Sequence, residues 1–139
     1  MAVTPCHTFG WDLEVKIRPI LEMILGEELK KTESRYDEID YVSNTRYVEL
    51  KGRPEHSVKG YVQAPFSFDS WLIPCDKVEN KDKPVTVIYD WEFDHTLWRC
   101  DYEKKLWDTF NKGIPDHKTS QMHYWIPREH FKCIWGTPI

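Results

Sequence analysis

Apolar side chains recur at helical spacing early in the chain. Leu13, Ile17, Ile20, Leu21, Ile24 and Leu25 mark one face of a helix expected from about Trp11 to Lys31. Pro19 marks either a kink or the true start of that helix. Glu28 lies four residues beyond Ile24 and seven beyond Leu21, so it continues the apolar face. The pattern then changes to a period of two across a hairpin, Tyr36 to Arg53, with a polar turn. Gly52 to Gly60 reads as a loop around Pro54, followed by a short strand at Gly60 to Gln63. Phe68 to Pro74 leads into a buried strand or turn whose core residues are Trp71, Leu72 and Ile73. After the polar loop Asn80 to Lys83, Pro84 to Phe93 is the clearest strand, rich in β-branched and aromatic residues. A turn at Asp94-His95 joins it to Thr96 through Tyr102. Lys104 to Asn111 reads as a short helix, His123 to Pro127 as a strand, and Arg128 to Ile134 as a final turn of helix or strand.

That order predicts an α+β domain in which a helix covers one face of a mixed sheet. At 139 residues the chain is one domain's worth, residues 1–139, and long enough to build a core without staples. Seven Trp, seven Tyr and six Phe exclude a disordered chain and leave aromatics for stacking on a ligand. Four scattered cysteines (Cys6, Cys75, Cys100, Cys133) show no zinc spacing and are expected to be free thiols in a reducing intracellular compartment, cytosol or nucleus. His123 and His130, seven apart, do not form a helical zinc motif. No signal peptide or membrane-spanning run is expected.

The formal net charge of -4 does not by itself announce a nucleic-acid partner. Its distribution alters that picture, because Arg46, Lys51, Arg53 and Lys59 gather around the hairpin and Lys77, Lys81 and Lys83 form a second basic group. Either group reads as a phosphate contact or as a solvated face.

The candidate chemistry lies in the hairpin. In a strand, Glu49 and Lys51 share a face while Leu50 points the other way. If Asn44-Thr45 form a two-residue turn, Asp40 lies opposite Glu49 on that same face. If Ser43-Asn44-Thr45 form a three-residue loop, Asp40 faces Val48 instead. The first register lets two carboxylates and an ammonium converge, the minimum apparatus for a divalent metal and an activated water. The alternative is an ordinary hairpin with a charged, solvated face.

Asp40 followed by Glu49-Leu50-Lys51, after an amphipathic helix and before mixed strands, resembles the PD-(D/E)xK, or restriction-endonuclease-like, nuclease superfamily. Ile39 stands where the formal motif has proline. The resemblance implies Mg2+ or Mn2+ held by Asp40, Glu49 and the Leu50 carbonyl. Glu28, or else Glu33 or Glu22, would complete the acidic cluster. It implies that Lys51 orients or deprotonates the attacking water, and that Arg53, Gln63 and Lys77 contact substrate. Metal-dependent hydrolysis of DNA, including branched or structured DNA, by a homodimer is the activity it implies. A nuclease-fold protein that binds nucleic acid or a protein without cutting is the alternative, as is an unrelated α+β interaction module.

Overall fold

Residues 16–32, 39–115 and 120–139 are described in the computed structural model; Trp11, Leu13, Glu33 and the Tyr36 end of the expected hairpin lie outside them. Helix α1 runs through residues 16–25, so it extends N-terminal to Pro19. It stops short of the expected Lys31. Gly26 takes a φ of 69°, a left-handed conformation that suits glycine at helix ends, and its N–H still bonds to the Glu22 carbonyl at 2.9 Å. The Glu22 carboxylate accepts the Leu29 N–H at 2.8 Å, turning the chain out of the helix. Lys30–Lys31 then forms a short strand, β1, on which the two exposed lysines tolerate an edge position.

Strand β1 pairs antiparallel with β2 (Tyr41–Val42), and β2 pairs antiparallel with β3 (Tyr47–Arg53). Tyr41 opposes Val48 and Val42 opposes Tyr47, while the Ser43 N–H bonds to the Arg46 carbonyl at 2.8 Å. Only Asn44 and Thr45 remain for the turn. The two-residue register is therefore the one present, and continuing it places Asp40 opposite Glu49.

Strand β4 (Ser70–Pro74) belongs to a different layer, and the chain returns to lie parallel to β3 as β5 (Val85–Trp91). Every residue of β5 is buried, as expected of a strand covered on both faces. Strand β6 (Thr96–Asp101) forms a hairpin with β5 across a turn at residues 92–95, with His95 at φ 54°. The short helix α2 (Lys104–Trp107) ends before the expected Asn111, which instead opens β7 (Asn111–Gly113). Strands β8 (His123–Pro127) and β9 (Lys132–Trp135) complete the described elements. The expected strand at Gly60–Gln63 is reduced to one bridge between His56 and Val62.

Among the described residues these strands make a six-stranded mixed sheet ordered β1-β2-β3-β5-β6-β9 and an antiparallel three-stranded sheet ordered β4-β8-β7. Alternation along β3 decides what covers each face. Val48 and Leu50 join Tyr41, Ile88 and Leu97 beneath Ile17 and Leu21 of α1. On the other face Val87, Tyr89 and Trp91 pack against Trp71, Ile73, Tyr124 and Ile126 of the smaller sheet. Helix, large sheet and small sheet thus form three layers, a mixed α+β arrangement dominated by sheet. Glu49, Lys51 and Arg53, alternating with Leu50 and Gly52, face the layer that carries β4. No described helix is long and apolar enough to cross a membrane.

Candidate active site

Asp40 sits at a bend where β2 leaves regular pairing. Its backbone carbonyl accepts the Thr32 N–H at 3.2 Å, and Thr32 Oγ1 donates to the Ile39 carbonyl at 2.5 Å. With Ile39 turned away, the Leu50 N–H takes the Asp40 carboxylate as acceptor at 2.8 Å. In a strand a residue's C=O points to the same neighbour as its N–H, so the Leu50 carbonyl also faces the Asp40 side. Side chain has replaced main chain in the ladder.

Glu49 is only 3% exposed, and its Oε2 has no hydrogen-bond partner among the described residues. The Asp40 carboxyl lies within hydrogen-bonding reach of Glu49, and both Lys77 and Lys51 are close enough to act on its charge. Burial, and then the adjacent Asp40, raise the Glu49 proton affinity well above the usual carboxylate range. Burial, and then Arg53, pull Lys51 below the usual lysine range, while Glu49 and Asp40 oppose that shift. A carboxyl of raised proton affinity beside an ammonium whose own is lowered is an arrangement for moving protons.

The donor set fits a hard divalent cation. Mg2+ commonly takes one or two carboxylates and leaves its other positions to water and phosphate, so Asp40, Glu49 and the Leu50 carbonyl are sufficient in kind. A buried carboxylate oxygen without a hydrogen-bond donor is the acceptor such an ion would satisfy. Among the described residues no group of three or more His, Cys, Asp or Glu is gathered to hold a metal.

Glu28 does not join this cluster. It is exposed in the segment after α1 and lines a cavity with Ser43, Asn44 and Thr45 at the turn end of the hairpin. The charges that act on Glu49 are those of Asp40, Lys77 and Lys51, and Glu28 is not among them. The expectation that it continues a helical face fails because the helix has already ended. Glu22 is engaged with the Leu29 N–H, and Glu33 lies outside the described residues.

Arg53 extends the site along β3. Its Nη2 donates to the Tyr89 hydroxyl at 3.3 Å, and its guanidinium lies over the Tyr89 ring, 5.3 Å from the centroid. Tyr89 Oη in turn donates to the Leu72 carbonyl at 2.5 Å, tying the two sheets together. Burial raises the Tyr89 pKa and keeps this phenol a donor. Gln63 lies beside Arg53, its Nε2 donating to the Pro54 carbonyl at 2.9 Å. Lys77, in the 3-10 turn Cys75–Lys77 that follows β4, is close enough for its charge to act on Glu49. Thr32 and Tyr89 position this site yet carry no spacing signal, because each acts through a contact between elements.

Comparison of the chain with protein-family models, curated proteins and solved structures gives no match.

Proposed function

We propose that the protein is a metal-dependent nuclease that hydrolyses DNA phosphodiester bonds on a restriction-endonuclease-like core. The observation that carries this reading is the Asp40–Glu49 pair, two carboxyls brought face to face by a two-residue turn in a buried setting with Lys51 beside them. Asp40, Glu49 and the Leu50 carbonyl would hold Mg2+ or Mn2+, which when bound supplies a polarised water and offsets negative charge on the phosphate. Lys51 in its neutral amine form would orient that water and accept its proton, a role its lowered proton affinity suits. The water oxygen bonds to phosphorus as one bridging P–O bond breaks, and the departing oxygen leaves with a proton from solvent. Lys77, close enough to act on Glu49, and Arg53, two residues beyond Lys51 on β3, would contact phosphate oxygens and offset charge as it develops. The site is thereby locally basic on an acidic chain. A single small domain offers little surface to a duplex, so cutting of duplex or branched DNA by this protein entails a homodimer.

The test is incubation of the purified chain with supercoiled plasmid, single-stranded DNA and a four-way junction in Mg2+ or Mn2+, beside Glu49→Ala and Lys51→Ala. Metal-dependent cutting lost in both variants is the expected result. Folded wild-type protein that cuts none of the three substrates would overturn the proposal in favour of a binding protein.

A further inference from the structure

At the Arg53 end of β3, two residues beyond Lys51, a cavity of about 220 Å³ opens between the two sheets. Its floor is made by Trp71, Tyr89 and Trp91, all nearly fully buried. One wall is Phe68, 43% exposed, whose ring lies 6.2 Å from that of Trp91 at an interplanar angle of 26°. Three polar residues, Arg53, Gln63 and Ser70, complete the lining with Leu72. Gln63 uses its Nε2 on Pro54, and its carbonyl oxygen has no partner among the described residues. Arg53 commits two N–H groups, to Tyr89 and to the Gly52 carbonyl, out of the five a guanidinium carries.

We propose that this cleft binds a single unpaired base of a DNA strand whose adjacent phosphate lies at Lys51, so that the protein acts on single-stranded DNA or on unpaired segments of structured DNA. The inference rests on the nuclease reading for the phosphate position. The chemistry of the cleft points to a planar heterocycle: the half-exposed Phe68 ring offers a stacking face, and the polar lining combines donors with an acceptor. Its volume is below that of pockets for drug-sized ligands, which suits one base and leaves no room for a base pair. Spacing supplies the link to the site. Arg53 and Lys51 share a face two residues apart, about 7 Å along a strand, comparable to one nucleotide step in an extended single strand.

The wall is also held in place before any ligand arrives. Arg128, in the 3-10 turn just after β8, donates from Nη1 to the Phe68 carbonyl at 3.0 Å, and its backbone N–H bonds to the Asp69 carbonyl at 2.8 Å. Its guanidinium lies over the ring of Phe66, 5.0 Å from the centroid. A stacking platform fixed in this way loses little freedom on binding.

The experiment titrates the full chain, with chelator present so that nothing is cut, into a labelled single-stranded DNA containing 2-aminopurine. The companion probes are a fully abasic strand of equal length, a blunt duplex, and RNA of the same sequence. Expected are quenching of 2-aminopurine on binding, about tenfold weaker binding of the DNA strand by Phe68→Ala, a smaller loss in Gln63→Ala, and no difference between wild type and either variant on the abasic strand. Equal binding of the DNA strand by wild type and both variants would overturn the inference. So would duplex or RNA binding as tight as that of the DNA strand with the same dependence on Phe68. Cutting in Mg2+ is read separately. A protein that binds through Phe68 but never cuts retains the cleft and loses the nuclease reading, and a protein that cuts with no dependence on Phe68 does the reverse.

Discussion

Glu49 is a residue whose burial makes sense only with a companion charge. Its pKa in the folded protein lies above the ordinary 4.5, so folding takes up a proton between those two values. Stability in chelator is therefore greatest below about 4.5 as far as this group is concerned, and it falls as pH rises through the raised folded value. Glu49→Gln keeps the shape and removes the charge. In chelator at neutral pH it is expected to stabilise the fold by roughly 1 to 3 kcal/mol, the scale of an unpaired buried polar group, and in Mg2+ the proposed function has it abolish cutting. Thermal melts of both proteins across pH check this, and a variant less stable than wild type at neutral pH would contradict it. A second expectation concerns rate. On the proposed function a cation would need both carboxylates deprotonated, so cutting at subsaturating Mg2+ should rise with pH as Glu49 gives up its proton. A rate that stays flat through the acidic and neutral range would rule that coupling out.

Elements show what could be read along the chain and what could not. The Asp40–Glu49 register was legible because alternation in β3 and the polar Asn44-Thr45 pair both act over a few residues. The end of α1 was less legible, since the apolar period continues past Gly26 while the backbone does not. Two glycines now separate conformational cost from steric cost. An added Cβ at Gly26 would meet nothing within 4 Å, so Gly26→Ala should cost only the left-handed backbone penalty, about 1 kcal/mol. At Gly136, φ is 79° and a Cβ would stand 2.6 Å from the His95 carbonyl oxygen, so Gly136→Ala adds a clash with backbone to the same penalty. Chemical denaturation should rank Gly136→Ala well below Gly26→Ala, and equal midpoints would mean that the segment after β9 moves aside without cost.

At the scale of the whole molecule, the site depends on two sheets meeting, which no local pattern announces. Lys77 and Leu72 lie far from Glu49 and Tyr89 in sequence, and only the return of the chain from β4 to a β5 parallel to β3 brings them together. Trp71 is the residue on which that meeting turns. Its ring lies within 6 Å of four others, Tyr89, Trp91, Trp98 and Phe131, and its indole N–H donates to the Pro65 carbonyl at 3.3 Å. Trp71→Ala would leave a cavity at the junction of the layers and cost about 3 to 5 kcal/mol, a large share of the roughly 5 to 15 kcal/mol that holds a domain together. Tyr89→Phe removes only the hydroxyl between Leu72 and Arg53, for which about 1 to 2 kcal/mol is expected. The two variants therefore separate packing from positioning. Trp71→Ala should lower the melting temperature sharply and weaken every function together. Tyr89→Phe should stay folded and weaken single-strand binding through a less constrained Arg53. A Tyr89→Phe protein that binds DNA like wild type would show that the guanidinium is held by packing against the ring rather than by the hydroxyl.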